Sequence, residues 1–229
     1  MIESIRPRRS VHSYVRREGR LTPAQQKALA TLWPRYGLDL SSEPINFSGV
    51  FGRIALITLE IGFGNGAALA TLAERSPERD FLGIEVHRPG VGHLLRVLEA
   101  KGLANVRVIS DDAVIVLRDA IPPASLHEVL LWFPDPWPKK RHHKRRLVQP
   151  EFIHLLHGCL APGGRLHMAT DWEDYALHML TTVEADGGFD NIAGAGNFSP
   201  RPASRPLTKF EQRGQRLGHP VWELIYHRV

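Results

Sequence analysis

Short apolar runs alternate with amphipathic stretches over most of the chain. Five nearly continuous apolar runs are typical of strands buried on both faces, and they lie at 54–61, 81–86, 105–109, 128–133 and 165–170. Helical spacing of apolar residues occupies the stretches between and after them, at about 66–75, 89–101, 112–119, 148–160 and 172–185. A last apolar run at 221–227 predicts a terminal strand. This alternation predicts a doubly wound α/β fold with a mostly parallel sheet.

The region before the first strand has a different pattern. The sequence Thr22-Pro23-Ala24-Gln25 fits a capping box with proline at the first helical position. Apolar residues follow at helical spacing as far as Tyr36, which predicts a short amphipathic helix. Residues 41–52 and 194–219 have loop-like composition. We therefore divide the chain into a basic arm with a short helix, 1–40, and one α/β domain, 41–229.

The charge is distributed unevenly along the chain. Its 29 Lys and Arg exceed its 24 Asp and Glu, so the formal net charge is +5. Residues 1–20, 139–146 and 201–229 carry +4, +6 and +4, which leaves −9 on the remainder. An acidic body with three basic segments indicates a polyanionic partner that is bound at a few places.

Composition excludes several classes of protein. The single Cys159 rules out a disulfide framework, and no Cys/His cluster has zinc-ligand spacing, so we expect no metal site. No apolar run approaches the length of a membrane span, and the amino terminus lacks the apolar stretch of a signal peptide. We expect a soluble, cytoplasmic protein without an obligatory protein partner, as a monomer or a homodimer.

Glycines and acids follow the predicted strands where a doubly wound sheet binds its ligands, beyond the carboxyl ends. The first strand ends in Glu60 and continues into three glycines, Gly62, Gly64 and Gly66. Closely spaced glycines let the main chain turn sharply and approach a ligand. Glu85 ends the second strand, 19 residues after Gly66, where a carboxylate accepts ribose hydroxyls.

Asp112, after the third strand, adds a candidate partner for the exocyclic amine of an adenine. The series therefore predicts an adenosine-containing cofactor. A nicotinamide dinucleotide fits the glycine spacing, and an NAD-dependent oxidoreductase remains an alternative. Glu60 favours S-adenosyl-L-methionine, because its negative charge disfavours a pyrophosphate and tolerates a sulfonium and an amino group.

The fourth strand leads into a segment with a different chemistry. Phe133-Pro134-Asp135-Pro136-Trp137-Pro138 is stiffened by three prolines and places Asp135 at the carboxyl end of the strand. The basic run 139–146 follows at once and has enough positive charge to neutralise several phosphates. Trp137 fits stacking on a base and packing in the core equally well, whereas Trp132 fits the core better. The segment indicates a nucleic-acid base as substrate.

These motifs together resemble the bacterial tRNA (guanine-N7)-methyltransferase family over nearly the whole chain. The resemblance rests on five stretches: 60–66, 83–85, 133–146, 169–171 and 205–214. The Pro-Asp-Pro-Trp-Pro-Lys-Lys and Thr-Lys-Phe-Glu-x-Arg-Gly motifs are far more specific than the glycine motif, which many methyltransferases share. Residues 16–22 also resemble the amino-terminal region of the family.

The resemblance implies a Rossmann-like, seven-stranded class I methyltransferase domain, with guanosine 46 in the variable loop of tRNA as substrate and 7-methylguanosine as product. It implies that S-adenosyl-L-methionine is bound by Glu60, the three glycines, Glu85, Asp112 and Asp135, and that Asp135 is the catalytic residue. It implies that the substrate guanosine contacts Lys139, Asp171, Thr208, Lys209, Phe210 and Glu211. It implies that RNA contacts Arg141, His142, His143, Lys144, Arg145 and Arg146.

The proposed chemistry needs no general base. Guanine N7 carries a lone pair and no proton, so Asp135 is expected to orient the base and stabilise its positive charge. Asp171 has an equal alternative as the N-cap of the following helix. A non-catalytic RNA-binding protein on a methyltransferase fold also remains an alternative. The arginines of the amino-terminal arm are expected to order on RNA.

Overall fold

The computed structural model describes residues 19–208, 211, 212, 214 and 218–229. Seven strands in this part of the chain form one sheet, in the order β3-β2-β1-β4-β5-β7-β6. They are β1 Ile57–Ile61, β2 Asp80–Ile84, β3 Val106–Ile109, β4 Leu126–Trp132, β5 Leu160–Thr170, β6 Phe189–Asn191 and β7 Trp222–Arg228. The strands β1 to β5 pair in parallel, and β7 runs antiparallel to both β5 and β6. The predicted mostly parallel sheet is confirmed.

Helices cover both faces of this sheet. They are α1 Pro23–Thr31, α2 Trp33–Tyr36, α3 Phe47–Phe51, α4 Ala67–Arg75, α5 Arg88–Lys101, α6 Ala113–Asp119, α7 Pro150–Cys159 and α8 Glu173–Glu184, with a 3-10 helix over Lys140–Arg145. One buried cluster joins α1, α2, α4 and α5 to the sheet, and another joins α6, α7 and α8 to it. The five helices predicted between or after the strands are confirmed.

The amino-terminal helices pack on the sheet domain. Thr22 Oγ1 accepts a hydrogen bond from the Gln25 amide at 3.3 Å, and Gln25 Oε1 accepts one from the Thr22 amide at 2.9 Å. This reciprocal pair is the predicted capping box. Tyr36 is fully buried in the cluster that contains α5. Gln25 Nε2 also donates to the Pro89 carbonyl, so α1 is held against the start of α5.

Some element boundaries differ from the sequence-based ones. The first strand starts at Ile57 because Ile54 and Leu56 are exposed, at 96% and 47%. The fifth strand starts earlier than predicted, at Leu160, because the pairing with β4 passes through an irregularity between Leu126 and Glu128. The helix α3 and the strand β6 were not predicted. Among the helices of the described residues, none has the length and apolar character needed to cross a lipid bilayer.

Candidate active site

A cavity of about 1040 Å³ opens at the carboxyl ends of the strands. Its walls come from the glycine turn after β1, the end of β2, the start of α5 and the loop after β4. Residues 207, 208 and 212 of the carboxyl-terminal part close another side. The predicted site residues in the walls are Glu60, Gly62, Gly64, Glu85, Asp135 and Thr208. The structure therefore brings Glu60, Gly62, Gly64 and Glu85 together with Asp135 at one cavity, whereas Gly66 and Asp112 do not line it.

The glycine turn combines a left-handed main chain with open space. Gly62, Gly64 and Gly66 have φ angles of +72°, +60° and +74°, which strain residues with a Cβ. A Cβ added at Gly62 or Gly64 meets no atom within 4 Å. A Cβ at Gly66 lies 2.6 Å from Leu94 Cδ1, and one at Gly90 lies 2.0 Å from the Gly64 carbonyl oxygen. The first two glycines give a ligand access to the main chain, and the third allows α5 to pack close.

Glu60 is buried beside the cavity without a compensating charge. Its side chain is 4% exposed, and its Oε2 has no hydrogen-bond partner among the described residues. Burial, with a smaller contribution from the charge of Glu85, raises the pKa of Glu60 to about 8. A buried carboxylate with an unsatisfied oxygen suits a cationic group in the cavity. The residues present therefore fit a sulfonium cofactor with an amino group.

Glu85 connects the glycine turn to the start of α5. Its Oε2 accepts a hydrogen bond from the Gly64 amide at 2.8 Å, and its Oε1 accepts one from the His87 amide at 2.9 Å. Burial raises the pKa of Glu85, and these two backbone donors oppose the rise. An ionised carboxylate has about four acceptor positions. Backbone donors at Gly64, Val86 and His87 use part of this capacity, and the rest is available to ribose hydroxyls.

Two acids, Asp111 and Asp112, follow β3, and the structure gives them different positions from the one expected. Asp112 is buried, and its Oδ1 accepts a hydrogen bond from the Val114 amide at 2.8 Å as the N-cap of α6. Its neighbours Asp111 and Ala113 line the cavity, whereas Asp112 itself does not. Asp111 Oδ1 in turn accepts from the Asp112 amide at 2.7 Å. The structure thus adds Asp111 as a candidate for the adenine amine beside Asp112.

The loop after β4 holds Asp135 in an unusual main-chain conformation. Phe133 and Trp137 have φ angles of +55° and +46°, a region that costs on the order of 1 kcal/mol for residues other than glycine. Asp135 lies between them, exposed in the cavity wall. Arg146 Nε donates to the Pro136 carbonyl at 3.0 Å and supports the loop from behind. Such strain, concentrated around an exposed carboxylate, is typical of a functional loop.

The basic run forms the 3-10 helix Lys140–Arg145 directly beside this loop. Lys139, Arg141 and Lys144 are exposed. The Arg145 guanidinium lies 4.1 Å from the Trp137 ring centroid, and the His142 ring meets that indole edge-on at 5.9 Å. Trp137 and Trp132 both belong to the cavity wall, and Trp132 is 7% exposed and also packs in the core.

Arg146 corrects one sequence-based expectation. Its side chain is 1% exposed, pairs with Asp174 and lies 4.8 Å from the Tyr175 ring centroid. His143, which is partly buried, has Nε2 at 3.7 Å from the same Asp174 carboxylate. Because its guanidinium is enclosed by protein, Arg146 does not face RNA in this structure and instead anchors the basic run to α8.

Asp171 does not cap α8. The N-cap position is Trp172, without a side-chain cap, and Thr170 Oγ1 accepts a hydrogen bond from the Trp172 amide at 3.2 Å. The Asp171 carboxylate lies near Gly214, with Oδ2 at 3.4 Å from the position of an added Cβ there. The alternative of an N-cap is therefore wrong. The position of Asp171 beside Gly214 leaves substrate contact as its predicted role.

The Thr208–Glu211 stretch also differs from expectation. Thr208 lies in the cavity wall, and its Oγ1 accepts a hydrogen bond from the Glu211 amide at 3.1 Å. Glu211 is 1% exposed and is paired with Arg201 and Arg205. Burial alone would raise the pKa of Glu211, but hydrogen bonds from these two arginines hold it below its usual value. Glu211 was expected to contact the substrate guanosine, but in the structure it is buried and bound to these arginines instead.

Some expectations concern residues outside the described part of the chain. They are Lys209, Phe210 and four of the five arm arginines, Arg8, Arg9, Arg16 and Arg17; the fifth, Arg20, is described. The described chain starts at Gly19, where an added Cβ would lie 2.9 Å from His87 Nε2, beside the cavity. Among the described residues, no group of three or more His, Cys, Asp or Glu is arranged to hold a metal ion.

Sequence reasoning missed several residues around the cavity. Gln25, His87 and His93 line it, and Arg205 is fully buried behind it. His93 Nδ1 lies 2.8 Å from the Asn65 carbonyl oxygen, so α5 supports the glycine turn. The capping box at Gln25 was a local signal, but its contact with Pro89 is 64 residues away in sequence. Local patterns do not contain such long-range contacts.

Comparison with known proteins agrees with this geometry. A family model described as "Putative methyltransferase" matches residues 55–224. A tRNA (guanine-N(7)-)-methyltransferase of Hydrogenovibrio crunogenus is 55% identical over 97% of this chain and 92% of its own length. The protein of the same name from Alcanivorax borkumensis is 56% identical over 96% of this chain and 92% of its own length.

Solved structures show the same fold at low sequence identity. The 16S rRNA methyltransferase KamB superposes with a TM-score of 0.57 at 16% identity, covering 85% of this chain and 98% of its own. TrmN from Thermus thermophilus gives a TM-score of 0.52 at 14% identity, covering 90% of this chain and 48% of its own. The likeness shows a Rossmann-like methyltransferase fold.

Proposed function

This chain belongs to the tRNA (guanine-N7)-methyltransferase family, and we propose that its cavity carries out the family's reaction with Asp135 at the centre. The chain transfers a methyl group to N7 of a guanine base in tRNA. The observation that carries the assignment to this cavity is the position of Asp135, in the wall shared with the glycine turn and directly before the basic run. A nicotinamide cofactor gives no role to either feature.

The cofactor of the proposal is S-adenosyl-L-methionine, which supplies an electrophilic methyl group on a sulfonium when bound. Glu60, with its unsatisfied Oε2, would neutralise the positive charges of this group. Glu85 would accept the ribose hydroxyls, and Asp111 with Asp112 would hold the adenine. The open faces of Gly62 and Gly64 leave room for the ligand against the main chain.

Asp135 has an electrostatic role in the proposed mechanism. Guanine N7 carries a lone pair and no proton, so the residue has no N7 proton to remove. Methylation makes the purine cationic, and a fixed carboxylate stabilises that charge as it develops. The strained loop and the support from Arg146 hold the carboxylate in place before the substrate arrives. Orientation of the base by these fixed groups supplies much of the remaining rate.

The RNA surface of the proposal starts at the exposed side of the 3-10 helix. Arg141 and Lys144 are exposed there and would contact phosphates, with Arg145 and His142 arranged around Trp137. Lys139, exposed just before this helix, would contact the guanosine. Thr208 and Asp171 are the proposed contacts to the guanosine on the other side. The arm reaches the described chain at Gly19, beside His87. We propose guanosine 46 of the variable loop as the target, in a cytoplasmic protein that is a monomer or a homodimer.

The direct test is methyl transfer to tRNA transcribed without modifications. Purified protein is incubated with methyl-labelled S-adenosylmethionine and the transcript, and the labelled nucleoside is identified after digestion. We expect label in 7-methylguanosine at one position of the variable loop. Label on an exocyclic amine or a ribose oxygen would contradict the proposed atom, and binding of NAD in place of S-adenosylhomocysteine would contradict the proposed cofactor.

The role of Asp135 is tested by Asp135→Asn, which keeps the shape of the side chain and removes its charge. We expect turnover to fall at least about tenfold, because the developing charge on the purine loses its counter-charge. The affinity for S-adenosylhomocysteine, measured by calorimetry, should change much less. Unchanged turnover in this variant would refute the electrostatic role.

A further inference from the structure

One wall of the cavity is formed by residues between β6 and β7 that do not belong to the sheet. This wall, which we call the carboxyl-terminal segment, comprises the described residues 199–208, 211 and 212, of which Leu207, Thr208 and Gln212 line the cavity. At its start, the Ser199 amide donates to the Glu223 carbonyl of β7 at 2.8 Å. The cavity-lining part follows several residues later. Its distance from the Asp135 loop depends on what holds it there.

The Arg205 side chain provides this anchor. Its guanidinium is 0% exposed, with Nη2 at 2.8 Å from Glu211 Oε1 and 2.7 Å from Glu223 Oε1. Glu211 belongs to the same segment as Arg205, whereas Glu223 belongs to β7. Arg201 completes the group from the side of the solvent, with Nε at 2.6 Å from Glu211 Oε1. One buried cation therefore ties the carboxyl-terminal segment to the sheet.

The same guanidinium also packs on the start of the Asp135 loop. It lies 5.8 Å from the ring centroid of Trp132 and 5.6 Å from that of Phe133. Trp132 ends β4, and Phe133 is the first of the two loop residues with positive φ. Arg205 therefore contacts both the carboxyl-terminal segment and the start of the Asp135 loop. A guanine base would enter between these two walls.

A buried ion network contributes more to geometry than to stability. Removing two charges from water costs about as much as their attraction returns, so an apolar filling of equal volume stabilises a fold as well or better. The Arg205 guanidinium meets both carboxylates through the single nitrogen Nη2, as close ion-pair contacts that join the two walls. The network continues inward, since His167 Nε2 lies 2.7 Å from Glu223 Oε2. Its main effect is to fix the relative position of two walls.

We propose that Arg205 is a positioning residue of the methyl transfer, which sets the separation between the Asp135 loop and the carboxyl-terminal segment. It acts through Phe133 on one side and Glu211 on the other. Being fully buried, it contacts neither RNA nor cofactor. The proposal rests on the proposed function of the cavity. A misplacement of about 1 Å between reacting groups lowers a rate by up to about a hundredfold.

The first test is Arg205→Lys, which keeps the charge and loses the planar group that packs on Trp132 and Phe133. We expect kcat to fall about tenfold or more, with a change below about threefold in KM for tRNA, because phosphate contacts lie elsewhere. The affinity for S-adenosylhomocysteine should stay within about twofold. The control is Arg165→Lys, which alters the ion pair with Glu128 between β4 and β5, away from the cavity. Its kcat should equal that of the original chain.

A second comparison separates positioning from folding. Arg205→Met leaves the Glu223 carboxylate buried without its arginine, so we expect a lower melting temperature. Adding Glu223→Gln removes that charge and should restore much of the melting temperature. If kcat stays low in the double variant, positioning is supported. If kcat recovers together with stability, or if Arg205→Lys has normal kcat, the proposal is wrong. Methylation by the original chain tests the proposed function separately.

Discussion

The burial of Glu60 predicts a measurable dependence of stability on pH. Its pKa is raised from 4.5 to about 8 in the folded chain, mainly by burial. Between these values the unfolded chain releases the proton and the folded chain keeps it. Rising pH therefore favours the unfolded state, by about 1.4 kcal/mol per pH unit for one group. Glu60→Gln removes this contribution.

The magnitude follows from the width of the window. From about pH 5.5 to about pH 7.5, Glu60 lowers the free energy of unfolding by roughly 3 kcal/mol, as an upper value for a single ideal group. The gain in stability of Glu60→Gln over the original chain should therefore be larger by roughly 3 kcal/mol at the higher pH. Titrating groups distant from Glu60 cancel in this difference, because both proteins contain them.

The assay is urea unfolding of both proteins at the two pH values, with Glu78→Gln as the control. Glu78 is exposed, so the same substitution there should change stability equally at both pH values. In parallel, S-adenosylmethionine should raise the melting temperature of the original chain much more than that of Glu60→Gln. An equal stability difference at both pH values would refute the reasoning on Glu60.

Three further predictions concern RNA binding. Lys144→Ala should weaken tRNA binding and reduce the slope of log affinity against log salt by about one, measured by filter binding, because an exposed cation is lost. Arg146→Ala should instead lower the free energy of unfolding by about 2 kcal/mol in urea, because a buried donor group is lost; a slope change equal to that of Lys144→Ala would contradict its structural role. Removing residues 1–20 should weaken tRNA binding and flatten its salt dependence, with unchanged affinity for S-adenosylhomocysteine; normal tRNA binding would reject the role of the arm.

The parts of the fold that sequence predicts well are those with a strong local signal. Parallel strands are buried on both faces, so β1 to β4 are nearly continuous apolar runs. The strand β6 was missed because it has only three residues, Phe189–Asn191, of which only the first is buried. The bent start of β5 was missed because Pro162-Gly163-Gly164 has turn composition, while pairing with β4 sets its conformation.

The same distinction holds for the site. Glu60, Gly62, Gly64 and Glu85 line the cavity as the pattern indicated, because the strand ends determine their positions. Arg146 and Glu211 were misplaced because a charged residue looks the same in sequence whether its partner is RNA or a distant side chain. The partner of Arg146, Asp174, is 28 residues away. Such pairing depends on the packing of α8 against the basic run.

The close contact between Gly90 and the glycine turn has a consequence for engineering this enzyme. Replacing glycine by alanine inside a helix commonly stabilises a protein by about 0.4–1 kcal/mol, through the entropy of the unfolded chain. Gly158 in α7 is open to this change, since an added Cβ meets no atom within 4 Å. The same methyl group at Gly90 would meet the Gly64 carbonyl oxygen at 2.0 Å and push the turn toward the cavity. Glycine-to-alanine replacement is therefore a route to a more heat-resistant enzyme at Gly158, whereas at Gly90 it would cost both stability and cofactor binding.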